Sequence, residues 1–326
     1  MELTWLDPEE FADRDVAGAV SCLEAARVED CPDELGETVA GRVASWRHGW
    51  DGDRPVTALA RVDRGRVAGV LQVSFPSWDN THLGSVDVVV DPLARRRGLG
   101  RRLFEAGVER IRAHGRTLVL TDCFDLPASV AFATAMGLDR VSEEVRRRQD
   151  LADLDWTGLD LAYADARGRA RDYDLVPVFG ATPQDMITDV ATMTEAINDA
   201  PTDDLDVEDE VFTPERIRAF EAAQLAHDRR LYRLIARERS TGVLAGHTMV
   251  AVESDRPWHA WQYDTSVLRA HRGHRLGLLL KIAMLRWLAE DEPQLRTLDT
   301  WNAASNAHMI EVNEVLGYRI VATGIG

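Results

Sequence analysis

Apolar and polar residues alternate with a period of two through VTALARVDRG, VAGVLQVSF and LGSVDVVVD, and Gly, Asp and Asn turn signals separate the three runs. Such alternation predicts three strands in an antiparallel meander. A short strand near Leu3 to Leu6 precedes them, followed by a helical stretch beginning after Asp7 and Pro8 and a second over roughly Asp33 to Trp46. Beyond the meander, a helical period runs to His114 and stops at Gly115. Then RTLVLTDCF reads as a buried strand, PASVAFATAM as a short helix ending at Gly137, and LDRVSEEVRRRQDL as a polar strand.

The same order then returns. YDLVPVFG is a strand, TPQDMITDVATMTEAI and TPERIRAFEAAQLAHD are helices with Thr-Pro starts, and RRLYRLIARE, VLAGHTMVAV and WQYDTSVL form a second meander. LLLKIAMLRWLAE, LRTLDTW, NAHMIEVNEVLG and YRIVA complete it as helix, strand, helix and strand. The fold class is therefore α/β, a mixed α+β sheet with helices on both faces, present as two tandem domains. Weak periodicity from Leu151 to Arg171 puts a linker at 156–172, between a first domain at 1–155 and a second at 173–326. The second copy stops soon after its last strand, so one edge of its sheet is expected to be completed from elsewhere, from the linker region.

The repeat is sharpest at the junction of the last meander strand with its helix. VDVVVDPLARRRGLGRRL and YDTSVLRAHRGHRLGLLL, offset by 177 residues, match at Asp87 and Asp264, Val90 and Val267, Arg95 and Arg272, Leu99 and Leu276, Gly100 and Gly277. A glycine loop opening a helix turns backbone N–H groups and the positive end of the helix dipole toward an anion. Its arginines add charge, so the natural guest is a pyrophosphate. The alternative is an arginine-rich tight turn. Neither a dinucleotide GxGxxG after a first strand nor a GxxxxGK[ST] loop is present.

These residues resemble the GNAT superfamily of acyl-CoA N-acyltransferases, whose signature [Q/R]-x-x-G-x-[G/A] is met in full by Arg95, Gly98 and Gly100. Arg272 and Gly277 meet it in the second copy, with Arg275 in place of the leading glycine. A second family pattern is matched by Asn306, Asn313, Gly317 and Tyr318, with Met309 at its small position; in the first copy Leu126 and Ala133 replace its asparagine and tyrosine. The two-domain arrangement is similar to that of mycothiol synthase-like actinobacterial members.

The resemblance implies an acyl-CoA-dependent N-acyltransferase, with acetyl-CoA or another acyl-CoA as co-substrate, direct attack by a small-molecule amine in a ternary complex, and no metal. The backbones of Val88 and Val90, and of Thr265 and Val267, would receive the pantetheine and polarise the thioester. The loops Arg95, Arg96, Arg97, Gly98, Leu99, Gly100 and Arg272, Gly273, His274, Arg275, Leu276, Gly277 would hold the pyrophosphate. Asn302 and Asn306 would add polar contacts, which favours the second copy as the catalytic one, with Asp264 and Asn313 as its catalytic residues. Asp264 and its counterpart Asp87 stand where a carboxylate could take the amine proton, or else pair with a neighbouring arginine. Trp258, Trp261 and Trp301 bracket that site and Trp78 precedes the first, as acceptor walls or as packing. The rival function is a non-catalytic acyl-CoA-binding sensor or scaffold.

Composition narrows the partners. At 326 residues with 45% hydrophobic content, the chain is long enough for two cores. A net charge of −17 with no basic run outside the two loops argues against a general grip on nucleic acid and favours cationic small molecules. Lys281 is the sole lysine, and Cys22, Cys31 and Cys123 lack paired metal spacing. Together with the absence of a leader pattern or a long apolar run, these features predict a cytoplasmic bacterial protein, monomer or homodimer, that does not engage a membrane.

Overall fold

The computed structural model describes residues 2–7 and 9–326. Pro8, expected just before the first helix, lies outside them. The chain forms two compact units, Met1–Arg140 with Ile325–Gly326, and Val141–Gly324.

The first unit runs β1 (Glu2–Trp5), α1 (Asp13–Asp30), α2 (Val39–His48), β2 (Val56–Arg61), β3 (Val67–Ser74), β4 (Leu83–Val90), α3 (Leu99–Ala113), β5 (Leu118–Leu120), β6 (Cys123–Phe124) and α4 (Pro127–Ala135). Its sheet has the order β1-β2-β3-β4-β5, antiparallel except for the parallel β4–β5 pair. On one face Val16, Ala19 and Cys22 of α1 and Trp46 of α2 close over Leu59 and Val70. On the other, Leu99, Leu103, Phe104 and Ile111 form the apolar stripe of α3 and pack on Leu71, Val73 and Val86.

The second unit comprises β7 (Glu143–Asp150), α5 (Trp156–Arg169), β8 (Tyr173–Phe179), α6 (Ile187–Thr194), α7 (Pro214–Ala226), β9 (Arg229–Glu238), β10 (Leu244–Glu253), β11 (His259–Val267), α8 (Leu276–Asp291), β12 (Thr297–Ala303), α9 (Ala307–Val315) and β13 (Arg319–Ile325). Its strands lie in the order β13-β7-β12-β11-β10-β9-β8. Ile187, Val190 and Ile217 of α6 and α7 cover one face, and Leu159, Leu276, Leu280 and Leu285 of α5 and α8 the other. The α/β class and the helices on both faces are as expected.

Two expectations are corrected. The division falls at Arg140, because β7 joins the second sheet between β12 and β13, pairing antiparallel with β12 from Asp150–Thr297 to Glu144–Ala303. The missing sheet element is thus supplied by the polar strand, not by the linker region. The expected linker is the helix α5, capped by Asp155, whose Oδ1 accepts from the Gly158 N–H at 3.0 Å. It presents Leu159, Ala162, Tyr163 and Ala166 to the core, a stripe at helical spacing built partly of alanine. None of the helices among the described residues is long and apolar enough to cross a membrane.

Candidate functional site

The two arginine loops share one backbone. After β4 and β11 the chain makes a 3-10 turn, at Pro92–Ala94 and Arg269–His271, before the loop and the helix. In the first loop Arg96 (φ 61°) and Gly98 (φ 79°) are left-handed; in the second Gly273 (φ 86°) and Arg275 (φ 57°) occupy the same two places. Each copy has one glycine and one arginine at the two places, in opposite order. Arg275 adopts the left-handed conformation of the absent glycine, at a cost of about 1–2 kcal/mol. The turn that presents backbone N–H groups at the start of α8 is preserved.

The loop arginines have other work than phosphate. Arg95 donates through Nε to Val90 O (3.0 Å) and through both Nη atoms to Asp30 (2.7 and 2.5 Å). Arg272 donates through Nε to Val267 O (3.1 Å) and through Nη2 to Asp199 (2.5 Å). Arg275 pairs with Asp165 of α5, and the His274 ring faces Arg169 O at 3.3 Å. Arg96 and Arg97 are exposed.

Next to each loop a strand edge lies open. Parallel pairing of β4 with β5 ends at Ser85, and that of β11 with β12 at Trp261, so among the described residues Val86–Val90 and Gln262–Val267 have no partner strand on that side. Val88, Val90, Thr265 and Val267 all fall on these edges. The copies differ in register. β4 pairs with β3 without interruption, whereas β10 and β11 shift between Thr248 and Val250, so that Tyr263 and Asp264 oppose Met249 alone. This is a β-bulge, which frees backbone groups from the ladder and re-aims side chains. Gln262, 5% exposed, holds it: its Nε2 reaches Met249 O at 2.7 Å and Tyr263 O at 3.2 Å.

Gly277 and Gly100 flank these edges and also differ. A Cβ at Gly277 would meet only the Thr265 methyl, at 3.9 Å, leaving the gap between α8 and β11 open. At Gly100 the Phe132 ring of α4 already lies 3.1 Å from that position.

Asp264, at the bulge, is half-buried among α7 and β9. Burial pushes its carboxyl above the ordinary value, and Arg233 and then Arg216 oppose the rise. Arg233 is 3% exposed and forms an ion pair with Glu221 at 3.6 Å, while Glu221 accepts from the Thr182 N–H and hydroxyl. In the first unit Asp87 is open to solvent, yet surrounding protein and then Asp122 raise its carboxyl to about 6.

The acetyltransferase (GNAT) family model matches residues 22–138 and 193–318, one match in each copy and together most of the chain. The chain belongs to the GNAT acetyltransferase family. Among relatives with assigned functions, the mycothiol acetyltransferase of Clavibacter sepedonicus is 31% identical over 139 residues, 39% of this chain and 44% of that protein. That of Rhodococcus jostii is 34% identical over 110 residues, 32% of each chain. The aligned stretches thus span less than half the length of these relatives. A tandem GNAT protein from the clavulanic acid biosynthesis pathway, solved without acetyl-CoA, superposes with a TM-score of 0.80 at 29% identity, over 99% of this chain and 96% of its own. An N-acetyltransferase from Sphaerobacter thermophilus shares the fold at a TM-score of 0.68 and 15% identity, over 99% of this chain and 93% of its own.

Within this GNAT frame, the asparagines make structural contacts of their own. Asn313 is fully buried, accepting from Lys281 Nζ at 2.7 Å and donating to Asn302 Oδ1 at 2.8 Å, so it cannot touch a reacting group. Asn306 caps α9, accepting from the Met309 N–H at 3.2 Å. Asn302 and Asn306 are both partly accessible. The acceptor walls are also fewer than expected: Trp258 is 42% exposed, and Trp301 packs under the Arg146 guanidinium at 5.8 Å. Gln262, Arg233 and Phe132 escape a reading of sequence alone, because each matters through a contact that only the folded chain creates.

Proposed function

We propose that the second copy catalyses transfer of an acyl group, acetyl as the simplest case, from acyl-CoA to the amine of a small metabolite. The bulge at Tyr263–Asp264, absent from β4, carries this reading. The loop Arg272–Gly277 and the N-terminus of α8 would take the pyrophosphate on backbone donors, and the open edge from Thr265 to Val267 would run beside the pantetheine. The neutral amine nitrogen attacks the thioester carbonyl, and backbone N–H groups beside the bulge stabilise the oxyanion. As the C–N bond forms, the ammonium proton passes to Asp264, whose raised affinity for protons suits a general base. The C–S bond then breaks. A thiol of pKa about 8.5 leaves as thiolate and takes its proton from solvent, so a tyrosine acid is dispensable.

A thiol-release assay with acetyl-CoA and a panel of small amines tests this. Gly277→Asp is expected to abolish release, whereas Gly100→Asp, beside a gap already filled by Phe132, leaves it within a few-fold of wild type. Equal loss from both changes overturns the assignment to the second copy. A second reading, acyl-CoA binding without transfer, is favoured by the burial of Asn313. CoA binding with no release across the panel would establish it instead.

A further inference from the structure

Lys281 is a buried ammonium with no carboxylate to meet it. It is 3% exposed on α8, and among the described residues its partners are Asn313 Oδ1, at 2.7 Å, and the Tyr318 ring, whose centroid lies 4.9 Å from Nζ. Both are neutral. Taking an ammonium out of water costs several kcal/mol unless a counter-charge is supplied. Every other strong base of the chain is an arginine, and the equally buried Arg233 has Glu221 beside it. The charge of Lys281 is left over for an anion that the folded chain does not itself provide.

Hydrogen-bond polarity carries that charge outward. An ammonium only donates, so Asn313 turns Oδ1 to Lys281 and Nδ2 to Asn302, whose Oδ1 accepts at 2.8 Å. The carbonyl of Asn302 is thereby taken, and its Nδ2 remains an unused donor on a partly exposed side chain. Pairing of β12 with β11 stops at Asp299, so among the described residues Asn302 stands on the open side of β12, facing the open edge of β11. It shares its face of the sheet with Leu298, which packs in the core with α8. Gly277, beside the gap to Thr265, precedes Lys281 by four residues on α8 and lies on the same side of the helix, about one turn away.

Resting on the catalytic reading of the second copy, we infer that the Asn302 amide donates to the sulfur of the departing CoA and that Lys281 is the positioning residue that holds this donor and lends it positive charge. As the C–S bond breaks, its electrons pass to sulfur and the Asn302 N–H meets the growing thiolate. The proton that follows comes from solvent, and Lys281 keeps its own. The leaving group is stabilised without a tyrosine acid.

The thiol of CoA bound to the full chain, titrated through its thiolate absorbance, tests this without turnover. On the wild type it is expected to ionise about one pH unit below free CoA. Lys281→Met and Asn302→Leu each return it to the free value. In thiol release from acetyl-CoA, each lowers kcat about tenfold with KM for acetyl-CoA within about twofold of wild type, and the double variant is no slower than Asn302→Leu alone. A merely structural lysine would shift the melting temperature and leave the thiol of CoA on the folded protein unmoved. A wild-type thiol that titrates as free CoA does, or a shift that survives either substitution, overturns the inference. The catalytic reading fails separately: release that is absent, or untouched by Gly277→Asp, together with a thiol shift lost in both variants, would remove turnover from the second copy and leave the sulfur contact standing.

Discussion

Arg95 and Arg272 make the same latch in the two copies. Each donates Nε to the carbonyl of the valine that ends the fourth strand of its copy, Val90 or Val267, and Nη to an aspartate at the end of a helical segment, Asp30 or Asp199. The arginine therefore fixes where the strand ends relative to the helical layer. For the partly buried Arg95–Asp30 pair, charge-assisted and two-pronged, Arg95→Ala is expected to cost about 1–3 kcal/mol. Asp30→Ala should cost a similar amount and the double variant little more than either, a coupling read from urea denaturation. Fully additive losses would mean that the two side chains act independently.

The alternating placement of glycine and arginine gives a second expectation. Arg96 and Arg275 stand at left-handed φ while Gly98 and Gly273 hold the companion places without strain. Arg96 is exposed, so Arg96→Gly should relieve strain and leave stability equal or higher by up to about 1 kcal/mol, the gain being reduced by glycine's unfolded-state entropy. Gly273→Val places a β-branched residue in that region and should lose more than about 1 kcal/mol together with CoA affinity. Urea midpoints and CoA titration decide it.

How much of this was legible beforehand follows the range of the interactions. The meanders, the loops and the duplication rest on local alternation and spacing, and they appear in the sequence as they do in the fold. The position of β7 does not. Its charged run reads only as a polar strand, yet Arg148 is paired to the buried Asp299 at 2.7 and 2.8 Å and Gln149 donates to Leu316 O at 2.6 Å. Charges can be buried when partners 151 residues away meet them, and no local pattern announces that. The pairing of Arg95 and Arg272 with aspartates is hidden for the same reason, since Asp30 and Asp199 lie 65 and 73 residues away. Asn306 and Asn313 matched a family pattern, but the pattern does not distinguish a cap or a buried link from a ligand contact.

Gln262 offers a sharper test of the bulge than any loop variant. Gln262→Met keeps the length of the side chain and removes the donor that Met249 O and Tyr263 O share. Loss of a buried hydrogen-bonding group should cost about 1–3 kcal/mol of stability. If the bulge positions the oxyanion donors, kcat should fall by about 10²–10³ with KM for acyl-CoA nearly unchanged. A purely structural role would leave kcat of the folded fraction at the wild-type level. Steady-state kinetics normalised to folded protein separates the two.

Lys281, the sole lysine, should leave a pH signature on stability. It is 3% exposed in α8, bonded to Asn313 Oδ1 and stacked over Tyr318 at 4.9 Å, and burial lowers its ammonium to about 7. The unfolded chain holds that proton up to its ordinary value of 10.5, so between about 7 and 10.5 the unfolded state binds more protons than the native one. Stability contributed by this group therefore rises with pH across that window, and below about 7 both states are protonated and the full burial penalty is present. The span corresponds to a few kcal/mol, on the order of 1.4 per pH unit. Lys281→Met removes the ionisation at similar volume and should flatten the slope of unfolding free energy against pH from 7 to 10, even after the loss of the Asn313 bond. Urea melts of wild type and Lys281→Met at three pH values measure it, and an unchanged slope in the variant would place the proton elsewhere.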